Sequence, residues 1–174
     1  MDGQLEQRDG RWQLRFDRKL PHPPEKVWRA ITEPEHLTAW FPFDIEGERA
    51  AGAPVLFVFR NGEAPPFEGE MTVYEPPRVL ELRWGGNETV RLEVQPDGEG
   101  SVLTLLNTFD EPGKASRDAA GWHVCLDALG YHLDGADAPW TPRERWEHVH
   151  QTYVERLGPE ASAIGPPAPA VESA

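Results

Sequence analysis

The chain has 174 residues, 39% of them apolar and with seven Trp and seven Phe, which suits one domain with a substantial core. Thirty acidic against 17 basic residues give a formal net charge of −13, a field that repels nucleic acid and anionic membrane surfaces, and no run of Lys or Arg offsets it. The lone Cys125 excludes an intramolecular disulfide and a thiolate zinc finger, and no apolar leader or ~20-residue apolar span is found, so a cytoplasmic protein without membrane insertion is expected.

Residues 11–20 alternate, with Trp12, Leu14 and Phe16 on one face and mostly charges on the other, the period of a half-buried strand. His22, Pro23 and Pro24 break it. Pro24 suits a first helical turn, and Val27, Ala30 and Ile31 form a short core-facing stripe, so 24–31 is predicted as a helix. Thr32 and Glu35 are spaced as a capping box opening a second short helix that ends near Trp40. Five turn-separated strands follow, at 55–59, 67–74, 79–84, 89–95 and 102–109, an antiparallel meander.

A long helix is predicted over 115–133, where Trp122, Leu126, Leu129 and Leu133 make a stripe suited to crossing a sheet. Gly121, Cys125 and Ala128 run beside it as a smaller flank. Glycine in a helix costs ~1 kcal/mol against alanine, so Gly121 calls for a packing reason: close approach to the sheet, or space left beside it. Thr141 and Glu144 form a second capping box with Pro142 at the first helical position, opening a helix to about Leu157 whose Trp146, Val149, Tyr153 and Leu157 share a face. The folded unit is therefore expected to span 1–157, with 158–174, rich in Pro and Ala, as a flexible tail.

Three blocks carry a family resemblance. Phe16 to Arg18 with Pro24 to Phe41 is the first, Gly69 and Glu70 with Tyr74 to Leu80 and Trp84 is the second, and Gly121–Trp122, in the long helix, is the third. Over roughly residues 12–133 the chain resembles the START-like (SRPBCC) superfamily, closest to the subgroup named after the activator of heat-shock-protein-ninety ATPase. The resemblance implies an α+β helix-grip fold: a curved antiparallel sheet wrapped around a long C-terminal helix, two short helices after the first strand, and here an extra C-terminal helix. It often implies an apolar cavity between sheet and long helix. Only a short segment precedes the first strand, so the chaperone-binding domain of the eukaryotic co-chaperone is not expected, nor is chaperone interaction.

Fold alone does not fix function in this superfamily. The leading expectation is a protein binding an apolar or aromatic small molecule, with Trp40, Phe41, Phe57, Phe59, Trp84, Leu105, Asn107, Phe109, Trp122, Cys125, Leu126 and Leu129 around the cavity. Trp40 and Phe41 serve either as cavity wall or as core plugs. Leu103, Leu105, Asn107 and Phe109 share one face of their strand, turned by resemblance toward the long helix, and a buried Asn107 amide needs partners or offers a polar handle. A cyclase- or dehydratase-like enzyme in the same cavity and a co-chaperone-related interaction module are the alternatives. No nucleophile elbow, phosphate-cradling loop or defensible carboxylate pair is found, and Cys125 has no adjacent base. No cofactor and no metal are expected: Glu33, Glu35 and His36 read as a solvated corner, and His148 and His150 do not share a helix face. The sequence sets no oligomeric state.

Overall fold

A computed structural model describes residues 2–60, 62 and 64–165. Strand β1 (Gln4–Arg8) pairs with β2 (Arg11–Leu20), and the chain then forms α1 (Pro24–Thr32) and a single turn, α2 (Pro34–Leu37). Six strands follow: β3 (Asp44–Gly47), β4 (Ala53–Val58), β5 (Phe67–Glu75), β6 (Val79–Trp84), β7 (Glu88–Asp97) and β8 (Gly100–Phe109). A short 3-10 turn leads into α3 (Ala115–Leu133), and α4 (Pro142–Leu157) follows. The eight strands make one antiparallel sheet in the order β1-β2-β8-β7-β6-β5-β4-β3. It is a helix-grip fold, the sheet curving round α3, as the resemblance implies.

The alternations place the core. In β2, Leu14 and Phe16 face inward, opposite Asn107 and Leu105 of β8, so one inner surface runs across the join of the two ends of the meander. Val27 and Ile31 of α1 are fully buried, and the Trp122, Leu126, Leu129, Leu133 stripe of α3 lies on the sheet as its spacing requires. Adjacent α3 residues Ser116, Ala120 and His123 turn instead toward α4 and the N-terminal segment. Ser116 bonds the Tyr153 carbonyl at 3.3 Å, and His123 Nδ1 lies 3.0 Å from the Tyr153 hydroxyl. That hydroxyl also accepts from the Gly3 N–H at 2.7 Å, tying α4 to the start of the chain.

Several boundaries differ from the sequence reading. β1 was not foreseen because its exposed residues alternate weakly; β3 is only four residues long, too short to carry a period. Thr32 opens no helix. Its hydroxyl donates back to the Trp28 carbonyl at 2.7 Å as the last residue of α1, and Glu33, without a side-chain cap, is the N-cap of α2. Backbone extension at Glu33, the residue before Pro34, is the reason: proline disfavours the helical conformation there, so the box lacks its frame. The Thr141–Glu144 box, by contrast, is complete. Residues 159–164, expected to begin a flexible tail, pack onto the domain. Ala161 is buried, Ser162 bonds Ser116 at 2.7 Å, and the Ile164 N–H donates to the Gly113 carbonyl at 2.9 Å. The rest of that expectation, 166–174, lies outside the described residues.

Candidate functional site

The loop after α2 begins the site. Its aromatics are held by Arg60, whose guanidinium donates to the carbonyls of Leu37 (3.2 Å), Phe41 (2.8 Å) and Phe43 (3.0 Å) and to Asp44 (2.6 Å). With the carbonyls of Leu37, Phe41 and Phe43 and the Asp44 carboxylate all tied to one guanidinium, the loop delivers Phe41 and Phe43 to an aromatic cluster at the β4–β6 end of the sheet. Phe43 meets Phe59, Phe67, Trp84 and Phe57 edge-on at centroid distances of 4.8, 5.2, 5.8 and 6.1 Å. Phe57 stacks on Phe67 at 5.1 Å and lies across Gly69, where a Cβ would collide with its ring and with the Arg83 carbonyl. Gly69 is needed there for close approach.

From the other side α3 brings Trp122, whose ring stacks on Trp84 at 5.9 Å and 15°. Its indole N–H donates to Asn107 Oδ1 at 3.1 Å, and Asn107 Nδ2 donates to Glu88 Oε1 (3.0 Å) and the Thr89 carbonyl (3.2 Å). Asn107 is thus a fully buried, satisfied amide that orients Trp122. Glu88 pairs in turn with Lys114, which reaches Asp118 at 3.1 Å and lies over the Phe109 ring at 5.0 Å; Arg117 Nε donates to Asp118 Oδ1 at 2.9 Å.

Between these two walls lies an open cleft of about 310 Å³, lined by Pro42, Phe43, Phe67, Trp84, Glu88, Lys114, Arg117, Asp118, Gly121, Trp122 and Cys125. Gly121 borders it with nothing within 4 Å of where its Cβ would stand. Of the two packing reasons for that glycine, space rather than close approach is the one realised. Burial pushes the Cys125 thiol up to about 12, so it is not a thiolate nucleophile near neutral pH.

Trp84, Trp122 and Cys125, among the residues named from sequence, come together on the cleft. The others do not line it. Trp40 is a core plug, 4% exposed, its indole N–H on the Ala30 carbonyl at 2.9 Å. Phe41 and Phe57 form the layer beneath the cleft, and Phe59 sits half-buried just past the end of β4. Leu105, Asn107, Phe109, Leu126 and Leu129 belong to the sheet–helix interface, each 0–3% exposed; their side chains fill the space in which a central cavity was expected. The sequence reading passed over Phe43, Phe67 and the charged wall of Glu88, Lys114, Arg117 and Asp118. A signal existed for part of it: Lys114 and Asp118, one turn apart, continue the helix edge that ends at Trp122.

A second cluster of titratable groups lies at the far end of α3, where His36 Nδ1 is 2.9 Å from His132 Nε2 and His22 pairs with Asp134 at 2.7 Å. Burial and the neighbouring His36 and Lys26 hold the His132 ring below the usual histidine range. Glu33, Glu35 and His36 put ligand atoms within 4.8 Å of one another on that corner, but the His36 nitrogen nearest Glu33 (3.5 Å) is not the one that faces His132. None of the described helices is long and apolar enough to cross a membrane.

The family model described as "Activator of Hsp90 ATPase homolog 1-like protein" matches residues 21–134. Among solved structures the chain is similar to CalU16 from Micromonospora echinospora, with TM-score 0.72 and 21% identity over 88% of this chain and 96% of that one. It is also similar to a conserved protein of unknown function, EF2215 from Enterococcus faecalis, with TM-score 0.72, 18% identity, and coverage of 89% and 90%. The protein encoded by BPP1335 of Bordetella parapertussis is 29% identical, with TM-score 0.67 over 90% of this chain and 91% of its own. No curated protein matches the chain.

Proposed function

The chain belongs to the Activator of Hsp90 ATPase homolog 1-like family, and from that premise we propose that it is a small-molecule-binding protein holding an apolar or aromatic ligand in the cleft beside α3. The observation that carries this reading is Gly121. A helix gives up roughly 1 kcal/mol to place glycine where alanine would serve, and here the missing side chain leaves room against an aromatic wall rather than admitting a neighbour. A cleft of about 310 Å³ is at the small end of ligand sites, enough for one compact ring system. Stacking on Trp84 and Trp122 and an edge contact from Phe43 supply the contacts, and burying such a ring contributes about 25 cal/mol for each Å² removed from water.

Catalysis is the second reading, favoured by the four charged groups that converge on one wall. Glu88 and Asp118 each already hold a cation, however, so neither is poised to take a substrate proton. Among the described residues the only exposed large hydrophobics are Val154 and Ile164, and both are still more than half covered, which supports binding over a protein-docking face.

The test is prodan, a compact neutral naphthalene dye whose emission reports polarity, titrated onto the full chain and onto Gly121→Leu. Leucine should fill the cleft, abolishing the dye's fluorescence gain while the melting temperature holds or rises. Equal dye binding by both proteins, or none by the wild type, would remove the reading.

A further inference from the structure

We infer that the cleft takes a planar aromatic acid, its ring on the Trp84–Trp122 wall and its carboxylate on Arg117. The inference rests on the reading above that the cleft binds a small aromatic molecule. Four charged side chains line the space, and three of them are committed to one another. Glu88 accepts from Asn107 and Lys114, Lys114 serves Glu88 and Asp118 with the Phe109 ring beneath it, and Asp118 accepts from Lys114 and Arg117.

Arg117 is different. Its single bond is Nε to Asp118 Oδ1 at 2.9 Å, and among the described residues its two terminal nitrogens have no protein partner. They carry four of the five N–H donors of a guanidinium, in the planar fork that grips a carboxylate through two parallel bonds. The side chain is 29% exposed, at the rim rather than outside it.

Helix geometry joins this fork to the gap. Arg117, Gly121 and Cys125 follow one another at four-residue steps along one edge of α3, so a ring seated beside Gly121 has Arg117 about 6 Å farther along the axis. A substituent on the ring's edge then meets the guanidinium. Asp118, bonded to Nε, holds the fork in place in advance, which lowers the ordering cost of binding.

Charge selects among ligand classes. A cationic ring would find both carboxylates already paired. A neutral ring would gain nothing from Arg117. An acid gains a charge-assisted pair, and the wall itself, two carboxylates against two cations, adds no local repulsion despite the net −13 of the chain.

Titration calorimetry of 2-naphthoic acid and 2-naphthamide, matched in ring and size, tests this on the full chain near neutral pH. The acid should bind about tenfold more tightly than the amide, a preference that fades with added salt. Arg117→Gln should bring the acid to within about twofold of the amide and leave the amide unchanged, and Arg117→Lys should keep part of the preference, because lysine holds the charge without the fork. Equal affinities in wild type, or Arg117→Gln weakening both ligands alike, overturns the aromatic-acid inference and leaves the binding cleft standing. Binding of neither ligand overturns the cleft reading beneath it.

Discussion

Helix α3 has two flanks built from small side chains, and they end differently. One carries Ser116 and Ala120, with Ala119 beside them, all fully buried; the other carries Gly121 and Cys125, open to the cleft. On the first flank the small residues let α4 and the 159–164 segment close in. Tyr153 then seals the contact with bonds to Gly3 and His123, while Arg145 and His123 converge on Asp127 at 2.7 and 3.4 Å. On the second flank the opposing wall is the Pro42–Phe43 loop, held by Arg60 through the Phe41 and Phe43 carbonyls, and it leaves the cleft open. A small residue is therefore a packing device or a gap according to what stands across from it.

Removing the covering element is the largest perturbation of the sealed flank. Truncation after Gly135 strips Val149 and Tyr153 from the core and leaves Gly3 without its acceptor, and at about 1.5–3 kcal/mol per large buried side chain the loss should reach about 3–6 kcal/mol. A urea melt of the truncated chain should show a collapsed midpoint; an unchanged one would mean that α4 contributes no stability. Trp122→Ala acts on the boundary between the flanks. It deletes the partner of Trp84 and strands Asn107 Oδ1, and should cost about 3–5 kcal/mol. Trp122→Phe, which keeps a ring and loses the donor, should cost about 1–3 kcal/mol by the same assay.

Adding bulk to each flank sharpens the contrast, because the sign should reverse. Ala120→Val pushes methyls into the sealed side and should destabilise by about 1–3 kcal/mol. Gly121→Ala, into open space, should stabilise by about 0.5–1 kcal/mol through helix propensity. Matching signs in thermal melts would mean that the two flanks are packed alike.

The smallest effect is a pH dependence confined to the sealed side. Burial opposes ionisation of Asp127, but hydrogen bonds and charge from His123 and Arg145 outweigh it and hold the carboxyl below its ordinary value of 3.8. A lowered folded value gives stability that is fully present above the ordinary value and is lost as pH falls through the folded one. Denaturation midpoints taken downward from about pH 5 should therefore drop less steeply for Asp127→Asn than for wild type, and parallel curves would remove Asp127 from the linkage.

Much of this protein was determined by sequence pattern alone. The period-two strand at β2, the Trp122–Leu133 stripe, the Thr141 capping box and the family blocks around Trp28 and Trp84 are local or self-contained signals, so they fix the helix-grip fold without knowledge of neighbours. The small flank of α3 was equally visible, as were Trp84, Trp122 and Cys125 of the cleft. What remained for tertiary structure was every question about the opposite wall. Leu105, Phe109, Leu126 and Leu129 read as cavity lining because their faces point inward, but an inward face is apolar whether it meets a ligand or another side chain; here the sheet and helix meet, and the space is filled. Phe43 and the Glu88–Lys114–Asp118–Arg117 wall escaped notice for the converse reason. Glu88 and Lys114 stand 26 residues apart in the sequence and become partners only when β7 and the start of α3 are brought together by the folded sheet. Pattern carries the direction in which a side chain points, and only the assembled fold carries what it meets.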